Sequence, residues 1–179
     1  MSTTFTTSVR NGGRWLLAAA VVFVAGYALA VLVEPGDLAT ELGVAAPLVA
    51  AAVLLVIGTA TAATAAAARP LAIGAVLAAV GCALGVIGLV TASTLAELGG
   101  LDVEGLYLPL ATVTTALGGA GVAALAVALR GVAGRTATVL AVLGAVVVLG
   151  CLFLDPIVPF VLAGVLGVAL ARSGASATM

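Results

Sequence analysis

The chain has 179 residues, of which 64% are hydrophobic and only 7% charged, with a formal net charge of −1. A soluble globular domain carries about 45–50% apolar and about 25% charged residues, so this chain has too little polar surface to cover a water-soluble core. The expected class is an integral membrane protein, large enough for one helical bundle and without an attached soluble domain.

Residues 1–13 are rich in Ser, Thr and Gly and predict a short flexible tail. Six apolar stretches follow, at about 15–33, 45–68, 71–91, 106–129, 136–154 and 157–171. The first five meet the roughly 17–25 residues a bilayer requires. The sixth is short, about fifteen residues or roughly 23 Å of helix, a mismatch that local thinning or neighbouring helices would absorb. A re-entrant last pair is the alternative, and Arg172 directly after the sixth stretch argues against it. The first stretch has the charged flank of a signal peptide, with Ala28-Leu29-Ala30 as a cleavage site, but its length suits a retained span. The fold expected is therefore an all-α integral membrane protein: six transmembrane helices in three antiparallel hairpins over 14–172, with a tail at 173–179.

The segments between the stretches carry charge in strict alternation. Arg10 and Arg14 are followed by Glu34, Asp37 and Glu41, then Arg69, then Glu97, Asp102 and Glu104, then Arg130 and Arg135, then Asp155, then Arg172. Arg excess in short loops marks the cytoplasmic side, which places both termini in the cytoplasm and the acidic segments outside. Trp15 and Tyr107 fall at opposite interfaces, where amphipathic rings anchor a span. Ala, Val, Leu and Gly dominate the composition, a bias typical of a GC-rich prokaryotic genome, so the expected location is a prokaryotic plasma membrane.

Little chemistry is available. There is no His, and all six basic residues are Arg, which removes His ligation of haem or metal, His-based nucleophile activation and a Lys-bearing phosphate loop. No basic stripe offers a nucleic-acid footprint. No ionisable side chain lies deep within a span, where proton relays and ion pathways are normally marked. No catalytic residue, metal ligand or cofactor is expected. Cys82 and Cys151 sit at depths that differ by roughly 6 Å before any lateral separation, and a disulfide needs Cα atoms within about 7 Å, so two free buried thiols are expected.

Four features remain as candidate sites. Gly74, Gly81, Gly85 and Gly88 form a small-residue stripe on the third stretch, suited to close helix packing within the chain or to homodimerisation. Gly118, Gly119 and Gly121 cluster on the fourth, where they would permit either tight packing or a hinge. Asp155 starts an Asp-Pro turn; it is either a turn residue or, with Glu97, Asp102 and Glu104, part of an outer-face polar site. Thr59, Thr61 and Thr64, and likewise Thr112, Thr114 and Thr115, either bond their own helices or line a polar path.

The function expected is that of a non-enzymatic multi-pass protein whose partners are the lipid bilayer and a larger membrane complex or a second copy of itself. A small permease or channel for a neutral or lipophilic solute is the alternative.

Overall fold

The computed structural model describes residues 3–33, 38–99 and 104–176. It is an all-helical bundle with the order α1 (Thr3–Leu32), α2 (Leu38–Ala63), α3 (Arg69–Gly99), α4 (Glu104–Ala128), α5 (Arg130–Leu149) and α6 (Ile157–Ser176). Glu34, Asp37 and Asp102, together with the side chains of Glu97 and Glu104, lie outside the described residues.

Five helices among the described residues are long and apolar enough to cross a membrane: Phe5–Leu32, Ala39–Ala63, Arg69–Ala96, Gly105–Ala128 and Arg130–Leu149. This corrects the expectation of six transmembrane helices, because the apolar part of α6, Ile157–Ser173, falls short of the others. α5 also ends earlier than expected: the chain leaves it at Gly150 and spends residues 150–156 in a turn, so the fifth helix stops at Leu149 rather than 154.

The pairing of the last two helices also departs from a hairpin. α6 lies antiparallel along α1, with Phe160 against Phe23, Gly164 against Ala20 and Gly167 against Gly13. α5 lies instead along α4, with Gly144 and Val147 against Gly119, and touches α6 much less. The helices therefore run round the bundle in chain order, and α6 closes the ring onto α1. α4 reaches across to α6 as well, and its span is the most buried of the five.

The first residues of the chain also differ from expectation. α1 begins at Thr3, so residues 3–13 of the stretch expected to be a flexible tail are helical. It is held by contact: Val9 is buried, a Cβ at Gly12 would lie 2.7 Å from the Ala62 nitrogen, and one at Gly13 would lie 2.6 Å from the Gly167 carbonyl oxygen.

Residue size is sorted in the sense a lipid solvent dictates. On α3, Ala75, Ala79 and Cys82 are buried, while Leu77 and Leu84 on the opposite side are 66% and 63% exposed. Lipid tails are as apolar as Leu, so nothing drives large side chains inward. Helices associate where small residues let backbones approach.

Charge is sorted along the bundle axis. α1, α3 and α5 start, and α2, α4 and α6 finish, at the end that holds all six Arg. The described carboxylates, Glu41 and Asp155, stand at the other end.

One backbone position demands glycine. Gly134 has φ 54° and ψ −129°, and it breaks the first turn of α5, Arg130 to Ala133, from the rest of the helix. That region is costly for any residue with a Cβ, although the space around Gly134 is open.

The packing makes a direct prediction. A Cβ at Gly119 would stand 2.9 Å from the Gly144 carbonyl oxygen, whereas one at Gly74 would meet nothing within 4 Å. Gly119→Ala should lower stability by about 1–3 kcal/mol through overpacking. Gly74→Ala should be neutral or raise it by up to ~1 kcal/mol through helix propensity. Thermal unfolding of both variants in one detergent provides the comparison.

Candidate functional site

The glycines singled out from the sequence separate by position. Gly81, Gly85 and Gly88 face α4: a Cβ at Gly81 would lie 2.7 Å from Leu117 Cδ1, one at Gly85 would collide with Thr114 Oγ1, and one at Gly88 would sit 3.7 Å from Leu110 Cδ2. The stripe is thus occupied within the chain, and Gly74 lies off it with open space beside it. α4 is helical throughout Gly118–Gly121. Its three glycines there face three different helices: Gly118 meets Pro159 of α6, Gly119 meets Gly144 and Val147 of α5, and Gly121 meets Ala75 and Ala78 of α3. A run of small residues is what a central helix needs in order to touch three neighbours at one level.

The threonines are mostly spent on their own helices. Thr61 donates to the Ile57 carbonyl at 2.7 Å, Thr64 to Thr61 at 2.7 Å, and Thr114 to Leu110 at 2.6 Å. Thr115 differs: its hydroxyl donates across to the Leu154 carbonyl at 3.4 Å and ties α4 to the turn before α6. Cys82 is buried, Cys151 is half-buried, and both are free thiols.

Polar side chains come together at the acidic end. Asp155 Oδ1 accepts from the Ile157 backbone N–H at 2.9 Å, and the Asp155 carbonyl accepts from Val158 at 3.0 Å. This is the N-cap arrangement, with Pro156 in the first helical position, where its missing N–H costs nothing. Asp155 Oδ2 accepts from the Tyr27 hydroxyl at 2.8 Å. One carboxylate therefore starts α6 and joins it to α1.

Tyr27 lies five residues before the end of α1, so Asp155 sits about 7–8 Å below that end. The α5–α6 corner is recessed relative to its neighbours, and its outer side is apolar, with Phe153 91% exposed. Inside this corner opens a cavity of about 250 Å³. Leu48, Val86, Leu89 and Val90 form its apolar wall, Glu41, Ser93 and Thr94 are polar members, and Tyr107 and Asp155 complete it. Phe23 forms the floor, stacked on Phe160 at 3.8 Å between ring centroids and on Tyr27 at 6.4 Å.

Below that floor the bundle is filled. Leu16, Leu125, Leu166 and Leu170 are buried, and the void among Leu16, Leu125 and Leu166 measures about 10 Å³, room for a single water at most. Among the described residues no group of three or more His, Cys, Asp or Glu gathers to hold a metal ion.

Of the proposed outer polar residues, the structure thus brings Asp155 to the recess. Glu97 and Glu104 have described backbones, at the last turn of α3 and the start of α4, and Asp102 lies outside the described residues. Glu41 belongs to the acidic outer segments read from the sequence, but Tyr27 and Phe23 were not among the expected site residues. A phenol within the outer third of the first span was the available signal.

Comparison of the chain with family models, with curated proteins and with solved structures finds no match.

The Asp155 geometry separates its two structural duties. Asp155→Ala should destabilise the fold by about 0.5–2 kcal/mol through loss of the cap, whereas Asp155→Asn should cost little, since Asn caps equally well. Equal losses in the two variants, measured by thermal unfolding, would contradict the capping role.

Proposed function

We propose that this multi-pass membrane protein is non-enzymatic and serves as an accessory subunit, packing against a larger membrane complex or another copy of itself. The filled interior below Phe23 is the observation that carries this reading. A conduit needs a polar or hydrated path, and Thr114, near the middle of α4, gives its hydroxyl to its own helix's Leu110 carbonyl. The absence of His and Lys from the sequence supports the non-enzymatic part. Outward-facing surface suited to a partner exists along α1 and α6, where Ala20, Ala25, Ala28 and Gly164 leave a shallow apolar groove.

The permease reading keeps one supporting observation, the recess open at the acidic end. Transport from it would require the Phe23–Phe160 stack to part. Purification from native membranes in mild detergent should yield a stoichiometric complex or a defined oligomer. The purified chain, reconstituted alone in liposomes, should show no solute flux above that of empty vesicles; robust flux would sink the accessory reading.

The orientation follows from the Arg end. We place that end, with both termini, on the cytoplasmic side of a prokaryotic plasma membrane. In a background lacking Cys82 and Cys151, Asp37→Cys and Asp102→Cys should react with an impermeant maleimide on intact cells. Ala68→Cys and Val132→Cys should react only after permeabilisation, and the reverse pattern would invert the topology.

A further inference from the structure

We infer that the recess at the acidic end is a binding site for an organic cation with an apolar body: an ammonium group on a hydrocarbon or aromatic scaffold. This goes beyond the accessory role and does not depend on it.

The cavity, about 250 Å³, is somewhat smaller than the roughly 300–1,000 Å³ typical of drug-sized sites, which suits a small guest. Its wall is apolar, from Leu48, Val86, Leu89 and Val90, so a strongly hydrated solute would lose water there without replacement. Its charged members are the two carboxylates Glu41 and Asp155. All six Arg stand at the opposite end of the bundle, so no basic side chain neutralises them there.

The carboxylate is also held in position. Tyr27 and the Ile157 N–H each occupy one Asp155 oxygen, and an ionised carboxylate has about four lone-pair sites, so acceptor capacity is left for a ligand. The rings of Phe23, Tyr27 and Tyr107 line the same space, and aromatic faces attract ammonium groups. A metal ion is the poorer fit, since it prefers several oxygen ligands and no group of three or more ligating side chains gathers among the described residues.

An ammonium on an apolar body describes both a free amine and the headgroup of an ethanolamine lipid. The test uses benzyltrimethylammonium as probe, titrated by calorimetry into the full-length protein in dodecyl maltoside, a neutral detergent free of amines. Saturable one-to-one binding is expected. Asp155→Asn, which keeps the cap, should weaken it by about tenfold, equivalent to about 1.4 kcal/mol. Ala45→Phe and Ser93→Phe, which fill the cavity from two different helices, should abolish it while thermal unfolding shows the bundle intact. Displacement of the probe by phosphatidylethanolamine but not by phosphatidylglycerol identifies the lipid headgroup as the source. Retained probe binding in the presence of both lipids identifies a free amine. Absent binding, or equal affinity in the parent, Asp155→Asn and either filled variant that remains folded, overturns the site. A subunit that co-purifies with a partner yet binds no cation would overturn this inference alone.

Discussion

The structure depends on how closely helix backbones can approach in a solvent that gives large apolar side chains no reason to turn inward. The deciding contacts are glycine notches. Gly13 and Gly167 bring α1 and α6 together backbone to backbone, and Gly119 and Gly144 do the same for α4 and α5. Two more notches receive prolines: Pro47 enters the one at Gly26, and Pro159 the one at Gly118. A proline ring is rigid and loses no rotamer freedom when buried, so it is an efficient filler for such a notch. Because α4 has a glycine for each of three neighbours, it can occupy a central position without unwinding.

The same packing sets the height of each helix, and height creates the site. α6 is fixed against α1 by Gly13–Gly167 at one end and by Phe23–Phe160 towards the other. Its start is therefore fixed near Tyr27, below the end of α1. The corner joining α5 to α6 must follow it down, and the exposed Phe153 is consistent with a corner immersed in the apolar phase. What remains above the corner, between α1, α2 and α3, is the recess. Its existence follows from a short last helix, and its chemistry from the Asp-Pro pair that starts that helix.

The membrane class was legible in composition, and run length located the helices, but not how many are long enough to cross: five among the described residues, against the six expected. The alternation of Arg with acidic residues also marked the two ends correctly for every described charge, since chain reversal at each turn converts sequence order into height. Helix partners were less legible. α5 and α6 are adjacent in sequence, yet α6 prefers α1, and that choice rests on glycines at positions 13 and 167 that no periodic pattern links. The end of α5 is placed too late, at 154, for a related reason: an apolar run does not reveal that residues 150–156 are spent on a turn. Asp155 was visible as a turn residue, but its bond to Tyr27 joins positions 128 apart, and only the α1–α6 contact brings them together.

The negative charge of Asp155 is more than the fold requires. Its Oδ1 caps α6 and its Oδ2 accepts from Tyr27, and an Asn side chain would serve the cap equally well. A carboxylate at a helix start adds about 0.3–1 kcal/mol through the macrodipole, a modest gain. Asp155 is exposed, and Glu41 adds like charge to the same cavity, with no Arg at that end to offset either. Glu41 stands in the first turn of α2, where a carboxylate likewise favours the helix start. The cationic guest proposed for the recess would supply the charge that the bundle places only at its other end.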